Sequence, residues 1–233
     1  MTEADQAKRA VGFAAVDAFV RSSTCVGLGT GSTARWAVAR VGERIAAGEQ
    51  IVAVPTSEAT ARQCRELGIP LVGLGERAID VAIDGADEVA PDWSLTKGGG
   101  GAHLREKAVA LAAGRFIVVV TPEKLVDQLG AFPTPVEVVP FTVAVVAQAI
   151  EAAHPGVAVR RRGGDDAPFV TDNGNAILDC GFGAIGDAAA LDASLRGIHG
   201  VVATGLFAPS LVANVLAGYP GAVKYLERRT AGR

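Results

Sequence analysis

The sequence predicts an α/β protein with a mainly parallel sheet and an inserted ferredoxin-like α+β subdomain. Helical patterns alternate with short apolar strands over the first 130 residues. One of those strands, Phe116–Val120, is an unbroken apolar run, which is typical of a strand buried on both faces. After residue 130 the elements follow the order β-α-β-β-α-β, the split pattern of a ferredoxin-like unit.

The N-terminal part contains the alternating elements of βαβ units. Strands are predicted over residues 24–28, 51–54, 79–83 and 116–120. Helices are predicted over residues 4–20, 32–47, 57–67 and 102–113. Gly68 and Gly114 follow two of these helices, where glycine commonly ends a helix. Strands that alternate with helices indicate crossover connections and therefore a mainly parallel sheet.

The pattern changes at the sequence Phe-Pro-Thr-Pro, residues 132–135, because proline interrupts regular structure. Beyond it, strands are predicted over residues 136–139, 157–161, 176–179 and 200–204, with helices over residues 142–153 and 187–195. Residues 206–225 are apolar and are predicted to return to the first domain. We therefore predict one domain formed by residues 1–130 and 206–233, and a small domain formed by residues 131–205.

The composition excludes several classes of function. The formal net charge of −3 lacks the basic character of a nucleic-acid-binding protein. No apolar run reaches the length of a transmembrane helix, and the polar N-terminus does not resemble a signal peptide. The three cysteines, Cys25, Cys64 and Cys180, are widely spaced and form no C-x-x-C pair. We expect reduced, buried thiols in a cytoplasmic protein.

A glycine-rich turn, Gly29-Thr30-Gly31-Ser32-Thr33, joins the first strand to the second helix. Glycines allow backbone N–H groups to approach an anion, the helix N-terminus adds partial positive charge, and hydroxyl groups add donors. We therefore predict that Thr30, Gly31, Ser32 and Thr33 bind a phosphate. The alternative is an ordinary turn in which Ser32 or Thr33 caps the helix.

Nucleotide binding fits this turn poorly. No lysine follows the glycines, so the turn is not a P-loop. A dinucleotide site has an acidic residue after the second strand, whereas this strand ends in Pro55-Thr56-Ser57. The neighbouring Glu58 keeps the dinucleotide alternative open.

Two carboxylates follow the third strand, in the sequence Asp84-Gly85-Ala86-Asp87. Open α/β sheets bind ligands at the C-terminal ends of their strands, so we predict that these residues line the site. A helix N-cap and a metal-binding acidic pair are the alternatives. Since no third carboxylate or histidine lies at ligand spacing, we predict no metal.

The segment after Lys97 contains four consecutive glycines, residues 98–101. Such a run has a high conformational entropy cost, which indicates that the backbone must approach a ligand. The amides of Gly98, Gly99, Gly100 and Gly101 are predicted to form a nest for an oxyanion, with the Lys97 ammonium beside it. Glu106, about one turn into the next helix, can point toward that nest. The alternatives are a flexible loop and, for Glu106, a solvated charge cluster with its two neighbours.

These motifs resemble the ribose-5-phosphate isomerase type A family. The resemblance extends from about residue 8 to residue 224, in the family's order and spacing. The segments that carry it are residues 27–33, 83–88, 97–100 with 105–107, 132–138, 171–175 and 205–207.

The resemblance implies a Rossmann-like catalytic domain, with helices on both faces of its sheet, and an inserted ferredoxin-like domain. It implies the interconversion of ribose 5-phosphate and ribulose 5-phosphate in the pentose phosphate pathway. It also implies a homodimer or homotetramer that needs no metal or organic cofactor.

The resemblance assigns roles to individual residues. Glu106 matches the general base, which moves a proton between C2 and C1 through a cis-enediolate. Asp84, Asp87 and Lys97 match the residues around the reacting end of the sugar, where Asp84 assists ring opening. Residues 30–33 match the substrate-binding loop. Lys124 matches a substrate-binding lysine, and Lys8 matches a lysine that contacts the phosphate.

His103 departs from the family pattern, because it stands where a small residue is commoner. Another enzyme on the same scaffold remains an alternative, either an amino-sugar-phosphate deaminase or a CoA transferase with an active-site glutamate. A non-enzymatic sugar-phosphate sensor is a further alternative, although no basic helix-turn-helix segment is evident.

Overall fold

The computed structural model describes residues 1–228, and its packing divides them into two units. The first unit contains residues 1–86, residues 105–125 and the described part of the segment that starts at Ser210. The second unit contains residues 87–104 and 126–209. No helix in residues 1–228 is both long enough and apolar enough to cross a membrane.

The first unit is built on a mixed sheet whose strands are mainly parallel. The order across the sheet is β13-β12-β6-β3-β1-β2; β13 alone among these described strands runs antiparallel to its neighbour. The strands are β1 (Cys25–Leu28), β2 (Val52–Pro55), β3 (Val81–Asp84), β6 (Phe116–Val120), β12 (Val212–Tyr219) and β13 (Ala222–Tyr225). All five residues of β6 are buried, as its apolar run predicts.

Helices cover both faces of this sheet. They are α1 (Glu3–Phe19), α2 (Ala34–Ala46), α3 (Glu58–Glu66) and α4 (His103–Ala112), whose first two residues belong to the second unit. Val26 and Leu28 of β1 share a buried cluster with α1 and α2. Gly27 points to the opposite face, because side chains alternate along a strand. There an added Cβ would lie 2.5 Å from Val109 of α4. The predicted α/β fold class is therefore confirmed.

The second unit contains an antiparallel sheet with the order β10-β7-β9-β8. Its strands are β7 (Thr134–Val138), β8 (Ala158–Arg161), β9 (Ala176–Gly181) and β10 (Val201–Thr204). Helices α5 (Val143–Ala153) and α6 (Ala188–Arg196) supply the remaining elements of the predicted β-α-β-β-α-β order. The core between this sheet and its helices includes Val136, Val146, Ile150, Leu178 and Leu195.

A small antiparallel sheet in the second unit has no counterpart in the sequence prediction. Its strands are β4 (Glu88–Val89), β5 (Leu95–Thr96) and β11 (Leu206–Phe207), in the order β11-β5-β4. Each has two residues, too few to show a period of two. Residues 87–104, 126–130 and 206–209 group with the second unit, whereas the predicted boundaries put them in the first. Ala90, Leu129 and Leu206 of these segments share a buried cluster with Ile185. Residues 229–233 of the predicted first domain lie outside the described residues.

Candidate active site

The turn after β1 meets the carboxylate at the end of β3. The Thr30 amide donates to Asp84 Oδ1 at 3.1 Å, and the Gly85 amide donates to the same oxygen at 2.7 Å. Gly29 leaves the space that the Asp84 side chain fills, because a Cβ at residue 29 would overlap the carboxylate. β1 and β3 are adjacent strands whose following helices, α2 and α4, lie on opposite faces. Ligands of open α/β sheets bind at such a switch point.

A cluster of hydroxyl groups holds the Thr30 side chain. Thr30 Oγ1 lies 2.8 Å from Thr56 Oγ1, 2.7 Å from Ser57 Oγ and 3.1 Å from Thr60 Oγ1. The Thr60 hydroxyl in turn donates to the Gly29 carbonyl at 2.9 Å. The hydroxyl groups of residues 56, 57 and 60 therefore hold Thr30 and stabilise the turn after β1. The sequence did not predict this role for the residues after β2.

Ser32 and Thr33 lie at the N-terminus of α2. Ser32 is exposed, and Thr33 occupies the N-cap position without a capping hydrogen bond from its side chain. Gly31 has a φ of +119°, which L-residues rarely adopt, so the turn depends on glycine here. The Arg35 and Trp36 amides donate to the Gly31 and Thr33 carbonyls at 3.0 and 3.1 Å. The candidates for receiving an anion are therefore the Ala34 amide and the partial positive charge of the helix N-terminus.

Glu106 lies in the first turn of α4, and the packing of that helix fixes the position of Glu106 along the strand direction. At the C-terminal end of α4, the Gly114 amide donates to the carbonyl of Ile79 just before β3. Val109 lies opposite Gly27 and close to Ala82. Glu106, three residues earlier, lies on the same helix face and about 4.5 Å further toward the end of β3. Glu106 is 5% exposed, so its side chain lies on the buried side of α4.

Arg105, the residue before Glu106, forms an ion pair with Glu58. Arg105 Nη1 donates to Glu58 Oε1 at 3.0 Å, which ties the first turn of α3 to that of α4. Both side chains are partly exposed. Glu58 thus forms an ion pair at the surface.

Lys124 and Lys8 both act on the Glu123 carboxylate. Lys124 ends the 3-10 turn Pro122–Lys124 that follows β6. Although partial burial raises the pKa of the Glu123 carboxyl, hydrogen bonds from the Thr121 hydroxyl and the Glu123 amide, with the charges of Lys124 and Lys8, hold it below its ordinary value. Ala7, the residue before Lys8, packs on Gly218 near the C-terminal end of β12. Both ammonium groups therefore lie near the C-terminal ends of the parallel strands.

In the second unit, the glycine turn of residues 98–101 follows Lys97. Gly98 and Gly101 have φ values of +106° and +77°, which favour glycine. The Gly99 amide donates to Asp87 Oδ2 at 2.7 Å, and the Gly101 amide donates to the Gly98 carbonyl at 2.9 Å. Internal bonds thus occupy two of the four predicted oxyanion donors, so the amides of Gly98 and Gly100 are the stronger candidates.

Lys97 is held by backbone and by an aromatic ring. Its amide donates to the Gly205 carbonyl at 2.8 Å, and its side chain is 2% exposed. The ammonium nitrogen lies 5.5 Å from the centroid of the Phe207 ring, within the range of a cation–π interaction. The Gly-Leu-Phe motif of residues 205–207 therefore supports this lysine.

His103 belongs to a buried polar network. Its ring is fully buried and packs against Gly98, where a Cβ would lie 2.7 Å from the ring atom Nδ1. His103 Nε2 lies 3.9 Å from Glu137 Oε2. The other carboxylate oxygen, Oε1, accepts hydrogen bonds from Thr171, Asn173 and Asn175 at 2.9, 3.1 and 2.9 Å. The histidine that departs from the family pattern thus packs beneath the glycine turn.

Within residues 1–228, no group of three or more His, Cys, Asp or Glu side chains is arranged to hold a metal ion. The described contacts bring Thr30, Asp84 and Gly85 together in the first unit, where Glu106 is buried in the first turn of α4. In the second unit they bring Asp87 to the glycine turn after Lys97. Sequence reasoning missed Arg162, which contacts that turn from 63 residues away in the chain.

The chain matches one protein family over most of its length. The family model of ribose 5-phosphate isomerase A (phosphoriboisomerase A) matches residues 52–221. The protein named ribose-5-phosphate isomerase A from Haloarcula marismortui is 48% identical over 203 residues, covering 87% of this chain and 88% of that relative. The protein of the same name from Bradyrhizobium diazoefficiens is 46% identical over 235 residues, covering 97% of each chain.

Solved structures share the fold. Ribose 5-phosphate isomerase A from Methanocaldococcus jannaschii is 40% identical, with a TM-score of 0.89 over 96% of this chain and 99% of that structure. A D-ribose-5-phosphate isomerase in complex with phospho-erythronic acid is 37% identical, with a TM-score of 0.91 over 98% of this chain and 100% of that structure.

Proposed function

Because the chain belongs to the ribose 5-phosphate isomerase A family, we propose that it interconverts ribose 5-phosphate and ribulose 5-phosphate, with Glu106 as the general base. The observation that carries the proposal is a buried carboxylate, Glu106, in the first turn of α4 and on the helix face that packs through Val109 against β1 and β3. A buried base near the C-terminal ends of the strands is shielded from bulk water, and open α/β sheets bind their ligands at these ends.

The proposed reaction moves one proton between adjacent carbons. Glu106 removes the proton from C2 of the open-chain aldose, and the electron pair forms a C1–C2 double bond while negative charge moves to O1. The hydroxyl proton passes from O2 to O1, and Glu106 returns its proton to C1, which leaves a carbonyl at C2. A positioned general base typically contributes a factor of about 10²–10⁴ to such a step.

The intermediate needs donors for its oxyanion. We assign this role to the Lys97 ammonium and to the amides of Gly98 and Gly100, since internal bonds occupy the other two amides. Losing one oxyanion donor costs enzymes a factor of about 10²–10³ in rate. The support for this assignment is the family motif and the glycine turn, in which the Gly99 amide donates to Asp87 and the Gly101 amide to the Gly98 carbonyl.

Ring opening is assigned to Asp84. Two backbone amides, those of Thr30 and Gly85, hold one oxygen of the Asp84 carboxylate and thereby orient the group. A carboxylate oriented in this way can exchange a proton with the anomeric hydroxyl. Asp87 is assigned to the same end of the sugar and also anchors Gly99.

The phosphate group does not react, so its binding energy orients the sugar. We assign it to the α2 N-terminus at Ser32 and Thr33, together with Lys124 and Lys8. The uncapped first turn of α2 and the two lysines beside Glu123 support this assignment. A solved relative in complex with phospho-erythronic acid supports a phosphorylated sugar acid as ligand of this fold.

We further propose a cytoplasmic enzyme of the pentose phosphate pathway that forms a homodimer or homotetramer and needs no metal or organic cofactor. Sedimentation equilibrium checks the assembly. Dialysis against EDTA checks the cofactor assignment, because we expect full activity to remain. Activity that is lost on dialysis and restored by a divalent ion would contradict it.

The Glu106→Gln variant tests the base directly. We expect kcat to fall by about 10³-fold or more, because an amide cannot accept the C2 proton, while phospho-erythronic acid still binds. Glu66→Gln is the matched control, since Glu66 is an exposed glutamate at the end of α3. Turnover of Glu106→Gln near that of the wild type would remove Glu106 from the role. Ammonia released from an amino-sugar phosphate, without pentose isomerisation, would favour the deaminase instead.

A further inference from the structure

Arg162 follows the last residue of β8 and binds the glycine turn on its carbonyl side. Its Nη1 donates to the carbonyl oxygens of Gly98, at 2.8 Å, and Gly99, at 3.2 Å. These two carbonyls belong to the same peptide groups as the Gly99 and Gly100 amides. One guanidinium group therefore contacts both peptides at the centre of the turn.

Holding the carbonyls also sets the direction of the amides. A trans peptide group is planar, and its C=O and N–H bonds point in opposite directions. The carbonyl of Gly98 shares a plane with the Gly99 amide, and the carbonyl of Gly99 shares one with the Gly100 amide. The Gly99 amide does point away from Arg162, because it donates to Asp87 Oδ2 at 2.7 Å. The same constraint directs the Gly100 amide.

Arg162 is itself held in place. Its Nε donates to Asp179 Oδ2 at 2.9 Å and its Nη2 to Asp179 Oδ1 at 2.5 Å, a two-point pairing that orients the plane of the guanidinium. The two side chains are 16% and 26% exposed. Asp179 lies in β9, within the hydrogen-bonded sheet of the second unit. The turn is thereby attached to a rigid element.

Phe169 completes the frame around the turn. Its ring centroid lies 5.7 Å from the Arg162 guanidinium, and its amide donates to the Arg162 carbonyl at 2.9 Å. A Cβ at Gly101 would lie 2.5 Å from that ring. Four consecutive glycines have the largest backbone freedom of any residues, so a frame of this kind is needed to keep their amides in one direction.

We propose that Arg162, oriented by Asp179, is a positioning residue that fixes the direction of the Gly99 and Gly100 amides. Arg162 acts through the turn and does not have to contact the substrate. The inference rests on the proposed function, in which the Gly100 amide stabilises the enediolate oxyanion. It predicts that the small domain supports the chemical step through one side chain.

Arg162→Lys and Arg162→Gln test the inference by kinetics. A lysine keeps the charge but cannot pair with Asp179 at two points and bind two carbonyls at once. We expect kcat to fall by about 10–100-fold in both variants, with KM within about threefold of the wild type, because the lost interaction matters mainly in the transition state. Arg160→Gln is the control, because Arg160 is an exposed arginine on β8, two residues before Arg162.

Ligand binding separates the turn from the phosphate site. Phospho-erythronic acid carries a planar carboxylate where the enediolate carries its charge, so we expect its dissociation constant to rise about tenfold in Arg162→Lys. Inhibition by inorganic phosphate should not change. Equal weakening of both ligands would overturn the inference, as would a kcat within about twofold of the wild type in both variants.

A measurement without substrate judges the inference independently of the proposed function. We expect the ¹⁵N–¹H resonances of Gly99 and Gly100 to shift in Arg162→Lys and to remain in place in Arg160→Gln. Unchanged resonances would overturn the positioning role even if the enzyme isomerises ribose 5-phosphate. Wild-type protein that fails to isomerise the sugar while these resonances shift would overturn the proposed function alone. If Arg162→Gln does not fold, Arg162→Lys decides.

Discussion

The Thr30 amide donates to the Asp84 carboxylate across the ends of two adjacent parallel strands, with the nitrogen 3.1 Å from Oδ1. This bond joins the turn of residues 29–33 to the turn of residues 84–87. The two segments are 54 residues apart in the chain, and the parallel pairing of β1 with β3 brings them to the same edge. In the proposed reaction, the group that orients the sugar phosphate and the group that opens its ring are thus linked by one backbone amide.

Gly29→Ala tests how closely these turns must approach. The added methyl group would overlap the Asp84 carboxylate, so the side chain must move and lose its bonds from Thr30 and Gly85. We expect activity to fall at least about 100-fold and the free energy of unfolding to fall by about 1–3 kcal/mol. Steady-state kinetics and urea unfolding measure both effects.

Gly186→Ala is the control for this substitution. A Cβ at Gly186 meets no described atom within 4 Å, and its φ lies outside the left-handed region. We expect wild-type activity and stability within about 0.5 kcal/mol of the wild type. Full activity in Gly29→Ala would show that the position of the Asp84 carboxylate does not limit turnover.

Lys124→Gln separates substrate binding from chemistry. A charge-assisted hydrogen bond to a phosphate contributes about 1.5–3 kcal/mol, so we expect KM to rise by about 10–100-fold while kcat changes little. Inhibition by inorganic phosphate should weaken in parallel, and Lys8→Gln should act in the same direction. Lys224→Gln, an exposed lysine beside Tyr219, is the control. A loss confined to kcat would place Lys124 at the reacting end of the sugar instead.

The three cysteines provide a test of burial. All are buried and free of disulfide bonds, as expected from their spacing. Burial disfavours the thiolate, so it raises the pKa of Cys64 to about 11 and that of Cys180 to about 12, and it also raises the pKa of Cys25. At pH 8 the thiolate fraction is about 10⁻³ for Cys64 and about 10⁻⁴ for Cys180.

We therefore expect native protein to resist iodoacetamide at pH 8, with activity unchanged after an hour. In guanidinium chloride all three thiols should react, as mass spectrometry will count. The sign follows from the raised pKa values: reactivity in the native protein should increase as the pH rises toward 11. Rapid alkylation of native protein at pH 8 would contradict the burial of these side chains.

Sequence patterns predicted the elements that have enough residues to show a period. The strand Phe116–Val120 has the predicted bounds, and most other strands and helices of residues 1–204 differ from prediction by one or two residues at their ends. The strands β4, β5 and β11 were missed, because two residues carry no period and their pairing depends on distant segments.

Side-chain partners were harder to predict than elements. The Thr30 hydroxyl was expected to face a phosphate, whereas three hydroxyl groups of residues 56, 57 and 60 surround it. Arg162 is one of three consecutive arginines, and it lies one residue beyond β8, where the alternation of a strand no longer indicates direction. Its contact with the glycine turn follows from the pairing of β8 with β9, which local sequence does not encode.

Glu137 supports the glycine turn from below through His103, and its removal should destabilise the fold. Its side chain is fully buried and accepts three hydrogen bonds through Oε1. In Glu137→Leu the hydroxyl of Thr171 and the amides of Asn173 and Asn175 lose their acceptor inside the protein. We expect the free energy of unfolding, measured in urea, to fall by about 3–5 kcal/mol.

Glu137→Gln separates this loss from a change of volume. The glutamine oxygen can still accept from the same three donors, so we expect a smaller loss, of about 1–2 kcal/mol. Glu151→Leu, an exposed substitution on α5, should stay within about 0.5 kcal/mol of the wild type. Equal stabilities for Glu137→Leu and Glu137→Gln would show that packing, and not the acceptor oxygen, is what this position contributes.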